Sequence, residues 1–206
     1  MGIRFSSKKI LLSMAAVGSA AAIAGLGTYA TFTSTTSSSN TATNGSVVIN
    51  LGASGAANRF SVSSGTLVAG DTIQRAVDLI SSSTVGDLGS VTLTTSATVS
   101  SLLNTDTTNG LQMVIDNCSV AWTEAGTSPA YTYTCSGTTT SVRATVPVIG
   151  SALALSNLSV VGGASGTTDH LRLKLTLPST AGNSFQAATS TILYTFDATQ
   201  RTATNR

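Results

Sequence analysis

The eight residues His170-Leu-Arg-Leu-Lys-Leu-Thr-Leu177 decide the fold of this chain. Leucine occupies every second position, and polar or charged residues stand between the leucines. Because successive side chains of a β-strand point to opposite faces, this period of two predicts an antiparallel strand with one apolar face and one wet face. His170, the single histidine of the chain, falls on the polar face, so we interpret it as a solvated surface residue.

Several other short segments alternate in the same way and are separated by turns rich in glycine and serine. The predicted strands cover residues 47–51, 59–62, 73–80, 91–99, 111–115, 119–123, 131–135 and 191–196. A helical turn is an alternative only within residues 74–82 or 101–104. The sequence therefore predicts an all-β fold, an antiparallel jelly-roll-like β-sandwich preceded by an N-terminal signal helix.

The N-terminus has the three parts of a secretory signal. A basic start is followed by an uncharged run over residues 10–27 and by a small-residue site that ends in Thr28-Tyr-Ala30. We expect cleavage between Ala30 and Thr31, although the uncharged run is also long enough for a retained membrane anchor. The predicted organisation is a signal peptide (1–30), a Ser/Thr-rich segment (31–46), a β-sandwich domain (47–200) and a C-terminal tail (201–206).

The charge of the chain argues against a nucleic-acid partner. Of its ten basic residues, Arg4, Lys8 and Lys9 lie in the signal, whereas none of the eight acidic residues does. The mature chain then has seven basic and eight acidic residues and a net charge of −1, too little positive charge for phosphate neutralisation. Contact with a membrane is expected only through the uncleaved signal.

The two cysteines, Cys118 and Cys135, are predicted to form one disulfide. They are close in sequence, even in number and part of an exported chain, which is the setting in which disulfides persist. Such a bond would close the loop between them. A metal site at this pair is disfavoured, since no histidine or further cysteine lies near it in the sequence.

Catalytic motifs are absent from the sequence. One histidine cannot supply a His-x-x-x-His zinc helix, no Gly-x-Ser-x-Gly elbow occurs, and the acidic residues are scattered. Asp169, beside His170, is expected on the opposite face of the strand, so the two do not form an acid–base pair. The sequence therefore predicts no catalytic, metal-binding or cofactor-binding residue, and a protein that is not an enzyme.

Three blocks of sequence resemble the TasA/CalY/camelysin family of exported proteins. The first block is similar to the family's signal, the second to its first strand and the turn after it, and the third to its C-terminal strand. They are Lys8-Lys-Ile-Leu-Leu-Ser13 with Gly25-Leu-Gly-Thr-Tyr-Ala-Thr-Phe32; Asn44-Gly-Ser-Val-Val-Ile-Asn-Leu51 with Phe60-Ser-Val62 and Ala69-Gly-Asp71; and Leu177-Pro with Gly182-Asn-Ser-Phe-Gln186 and Tyr194-Thr-Phe-Asp-Ala-Thr-Gln200.

The resemblance implies a secreted jelly-roll protein of the cell surface or biofilm matrix, processed by a SipW-type signal peptidase. Family members assemble into fibres when an N-terminal segment of one subunit completes the sheet of the next, which makes residues 31–46 the candidate donor strand of a homo-polymer. A plain disordered leader is the alternative for this segment. Camelysin itself is described as a metalloendopeptidase, so a secreted peptidase is a second hypothesis. A monomeric adhesion module that binds a cell-wall or matrix component is a third.

Overall fold

A computed structural model describes residues 49–60, 67–82 and 88–202, all within one compact unit. The described residues form ten β-strands, one helix (α1) and one 3-10 turn (Asn183–Phe185). The strands are β1 Ile49–Leu51, β2 Thr72–Ser81, β3 Leu88–Val99, β4 Gln112–Cys118, β5 Thr123–Ala125, β6 Thr132–Thr134, β7 Thr139–Pro147, β8 Gly150–Leu155, β9 Thr168–Thr176 and β10 Thr191–Gln200; helix α1 is Leu102–Thr105.

The strands form two facing sheets and one separate hairpin. The first sheet has five strands in the order β1-β2-β9-β4-β7, the second has three in the order β10-β3-β8, and β5 pairs with β6 alone. Every strand pairing recorded in the described part of the chain is antiparallel. The prediction of an all-β antiparallel fold is therefore confirmed.

Strand β9 lies at the centre of the larger sheet, between β2 and β4. Its odd-numbered leucines Leu171, Leu173 and Leu175 are buried, as the alternation predicts. They pack in one core cluster with Val91 and Leu93 of β3, so that both sheets contribute to a single apolar interior. Burial of such side chains stabilises the fold by roughly 1.5 to 3 kcal/mol each.

Helix α1 begins with a capping box. The Ser101 side chain accepts a hydrogen bond from the Leu103 amide (3.1 Å), and the Asn104 side chain accepts one from the Ser101 amide (2.8 Å). Two amides that have no partner within the helix are thereby satisfied. The helical turn considered for residues 101–104 is present, whereas residues 74–82 belong mainly to strand β2.

Two strand predictions differ from the structure, and two strands of the structure are not among the predictions. Residues 119–122 are not a strand, because the chain bends away from β4 there before β5 begins at Thr123. Arg59 and Phe60 lie outside any strand, and the preceding residue, Asn58, makes isolated bridges to Gly55 and Val77; residues 61–62 are outside the described part. The sequence does not predict strands β7 and β8, because neither strand keeps a strict alternation of apolar and polar residues.

The signal peptide, the Ala30–Thr31 cleavage site and the segment 31–46 lie outside the described residues, as do residues 203–206 of the tail. The domain boundaries therefore stay predictions. Within the described ranges no helix is long and apolar enough to span a membrane.

Candidate functional site

A disulfide-closed hairpin, residues 119–135, lies against the outer face of the five-stranded sheet. It contains β5 and β6 and is joined at its base by the Cys118–Cys135 bond, whose Cα atoms are 5.7 Å apart. Cys118 is buried, with 1% of its surface exposed. By the chain-entropy model, closing a loop of this length stabilises the protein by about 3 kcal/mol. We call this segment the disulfide hairpin.

Trp122 connects the disulfide hairpin to the central strand. Its indole Nε1 donates a hydrogen bond to the carbonyl oxygen of His170 (2.7 Å). The guanidinium of Arg172 lies 4.4 Å from the centre of the Trp122 ring and also donates to Asp116 (2.6 Å). With this cation–π contact and ion pair, only 19% of the Arg172 side chain stays exposed, although Arg172 belongs to the face of β9 that the sequence analysis assigns to solvent.

A second ion pair, between Arg59 and Glu124 of strand β5, contacts the disulfide hairpin. Arg59 donates two hydrogen bonds to Glu124 (2.6 and 2.9 Å), and Tyr133 donates a third through its hydroxyl (3.0 Å). Bonding to Arg59 holds the pKa of the Glu124 carboxyl below its usual value. Burial, aided by the hydrogen bond to Glu124, raises the pKa of Tyr133 to about 12. Arg59 also lies over the Tyr131 ring, 4.7 Å from its centre.

His170 is not a freely solvated residue, which corrects the sequence interpretation. Its Nδ1 is 2.7 Å from Oδ1 of Asp78, and only 22% of the His170 side chain is exposed. Because a carboxylate only accepts, Nδ1 carries the proton in this bond. The sequence could not reveal the pair, since Asp78 lies on β2, 92 positions away.

Asp169 points to the opposite side of the sheet, as predicted. It is 1% exposed, and its carboxylate accepts hydrogen bonds from the Asn117 side chain (2.7 Å) and from the amides of Ser159 and Val160 (2.9 Å each). A buried carboxylate is tolerated when several donors satisfy it. Asp169 therefore fixes the connection between β8 and β9 and is unavailable to His170.

A groove separates the edge strands of the two sheets. It measures about 230 Å³ and lies between β1 and β10; its lining residues are Ile49, Asn50, Leu51, Tyr194, Thr195 and Phe196. Next to it, Phe60 packs against the rings of Tyr194 and Phe196, with centroids 4.9 and 6.2 Å apart. Among the described strands β10 pairs only with β3, so its second edge borders this groove.

Residues 6–205 match the model of a family described as "Camelysin metallo-endopeptidase". The chain belongs to this camelysin family. The resemblance drawn from the three sequence blocks is confirmed, and with it a place among the secreted or cell-surface proteins of the TasA/camelysin family. No curated protein matches the chain.

The family description contradicts the prediction that the protein is not an enzyme. That prediction depends on the lack of a motif in the linear sequence, whereas the description of the family points to a peptidase. A metallo-endopeptidase needs side chains that can hold a metal ion. Among the described residues, no three His, Cys, Asp or Glu side chains stand together as a metal site, and Asp78 with His170 gives two donors. In this disulfide-bonded state the described residues do not fit a peptidase zinc, which takes three protein ligands.

Proposed function

We propose that this camelysin-family protein is an extracellular structural subunit that polymerises into surface or matrix fibres by strand addition. The observation that carries this proposal is strand β10, a ten-residue strand at the edge of the three-stranded sheet. An edge strand presents a row of backbone donors and acceptors to which another chain can add.

The sequence of β10 lacks the features that usually protect a sheet edge. It contains no proline and no lysine, and Asp197 is its single charge. Leu193 keeps 53% of its surface exposed beside this edge. Long, nearly uncharged edges of this kind favour β-augmentation, in which main-chain hydrogen bonds join the partners.

The groove beside β10 supports one occupant in particular, the segment 31–46 of a second copy of this chain. That segment is rich in Ser, Thr and Asn and carries no charge, so it matches an edge with a single acidic group. Its one aromatic residue, Phe32, is suited to the apolar part of the groove near Phe196. Removal of the signal by a SipW-type peptidase would free the segment, and cell-wall or matrix components would then contact the homo-polymer rather than the monomer.

Assembly is tested with the processed, secreted protein by electron microscopy and sedimentation. Deleting residues 31–46 and, separately, replacing Leu193 by Lys on β10 should each abolish filaments, because a lysine on an edge strand opposes strand addition. Ser96 lies directly opposite Leu193 and is also exposed, but it belongs to the interior strand β3. Ser96→Lys is the matched control and should still form filaments. Filaments from all three variants would refute the proposal.

A second candidate function is a secreted metallo-endopeptidase, which the family description favours. It predicts casein cleavage by the purified processed protein and loss of that cleavage on treatment with a chelator. Cleavage that is unaffected by chelation, or no cleavage under any redox condition, would remove this candidate.

A further inference from the structure

We propose that Glu124, on the disulfide hairpin, is a positioning residue for the groove beside β10. Through Arg59 it holds the Phe60 ring against that strand, so that the groove is ordered before the segment 31–46 of a second copy enters it. Two contacts join the hairpin to β10, one made by Arg59 and the other by Phe60. The inference rests on the proposed fibre function and assigns the disulfide hairpin a role in it.

The first contact is a bidentate ion pair between Arg59 and the hairpin. The Arg59 guanidinium donates to both carboxylate oxygens of Glu124 (2.6 and 2.9 Å). The Tyr131 ring lies 4.7 Å from the same guanidinium, and the Tyr133 hydroxyl donates to Glu124 (3.0 Å). Two charge-assisted hydrogen bonds of this kind fix the orientation of a guanidinium as well as its position. Glu124 therefore determines where the Arg59 side chain lies.

Arg59 and Phe60 need such restraints because both residues lie outside any strand. The Arg59 amide donates to the Ala76 carbonyl oxygen (2.9 Å), and the Phe60 amide donates to the Asn58 side chain (3.2 Å). Ordering residues that are not part of a sheet costs conformational entropy, which their contacts must offset. Because one peptide bond joins the two residues, the bonds from Arg59 to Glu124 also restrain Phe60.

The second contact places the Phe60 ring against two side chains that line the groove. Its centroid is 4.9 Å from that of Tyr194 and 6.2 Å from that of Phe196, and both of these residues belong to β10. Aromatic rings at such distances attract one another in tilted and offset arrangements, so Phe60 restrains both rings. A groove whose lining is ordered in advance binds a strand more tightly, because less conformational entropy is lost on binding.

The other ion pair beneath the hairpin provides a matched control. Arg172 and Asp116 are also 2.6 Å apart, and their side chains are 19% and 15% exposed, against 24% and 18% for Arg59 and Glu124. Arg172 contacts the hairpin through the Trp122 ring, but it lies on β9, in the middle of the five-stranded sheet. Neutralising Asp116 therefore removes a comparable ion pair and leaves the contact with β10 in place.

The first measurement is made by NMR on the processed protein before assembly. Nuclear Overhauser effects between the Phe60 and Tyr194 rings report their contact. We expect them in the unaltered protein and in Asp116→Asn. In Glu124→Gln they should be weakened, because a neutral amide cannot form the charged pair with Arg59. The exchanged pair, Arg59→Glu with Glu124→Arg, should restore them in part.

The second measurement is the concentration of protein that stays unassembled at equilibrium, obtained by sedimentation. It should rise about 10-fold in Glu124→Gln, which corresponds to about 1.4 kcal/mol of lost binding free energy, and stay unchanged in Asp116→Asn. Unchanged ring contacts or an unchanged unassembled concentration in Glu124→Gln would each overturn the inference, as would an equal rise in both variants. Absence of filaments from the unaltered protein would instead refute the fibre function, whereas the ring contacts still decide whether Glu124 positions Phe60.

Discussion

The Arg172 guanidinium lies between the Trp122 ring, 4.4 Å from its centre, and the carboxylate of Asp116 at 2.6 Å. One side chain of the central strand therefore contacts both the disulfide hairpin and the neighbouring strand β4. The hairpin is held to the sheet by this contact, by the bond from Trp122 to the His170 carbonyl and by the Arg59–Glu124 pair. The disulfide is only one of several restraints that keep Cys118 covered.

Replacing Trp122 by Ala should lower the free energy of unfolding by about 2 kcal/mol. The variant loses the cation–π contact with Arg172 and the hydrogen bond to His170, each of which contributes about 1 kcal/mol. Urea unfolding followed by circular dichroism measures the change. The exposed neighbour Thr123→Ala is the control and should change stability by less than about 0.5 kcal/mol.

Replacing Asp169 by Asn should destabilise the protein by roughly 3 kcal/mol. Asp169 accepts three hydrogen bonds in the core, and an amide nitrogen in place of one oxygen would face the amides of Ser159 or Val160 as a second donor. The matched variant is Asp197→Asn, which neutralises an exposed carboxylate. Equal stability of the two variants in thermal or urea unfolding would contradict the buried network described above.

The stability of the protein should fall as the pH rises from 10 to 12. Tyrosine in the unfolded chain loses its proton near pH 10, whereas burial raises the pKa of Tyr133 to about 12 in the folded protein. Burial also raises the pKa of Tyr194. Unfolding then releases protons in this window, so the contribution to stability is complete below pH 10 and declines above it. Tyr133→Phe should show a shallower decline in urea unfolding at a series of pH values; an unchanged slope would argue against this cause.

The regular parts of the fold were predictable because their sequence repeats. In β9 the alternation is strict, and the prediction of residues 170–177 differs from Thr168–Thr176 by two residues at one end and one at the other. In β7 only Val142 is buried, and the prevalence of Thr and Ser leaves no apolar face for a pattern to reveal. The predicted strand at residues 119–123 failed because Trp122 is positioned by a carbonyl on another strand.

The candidate sites depend on contacts between residues that lie far apart in the sequence. The bonds from His170 to Asp78 and from Arg59 to Glu124 join residues 92 and 65 positions apart, and no local pattern encodes such pairs. The cysteine pair could be anticipated from its number and spacing. Its position opposite His170 could not, because it depends on the register between β4 and β9.

Amide hydrogen exchange of strand β10 tests the central claim, assembly by strand addition, most directly. The exchange of residues 191–200 is compared by mass spectrometry between the monomeric and the assembled forms of the processed protein. Strand β8, Gly150–Leu155, forms the other edge of the same three-stranded sheet and serves as the internal reference. The account predicts that the outward-facing amides of β10 become protected on assembly while those of β8 do not change. Exchange in β10 that is the same in both forms would contradict it.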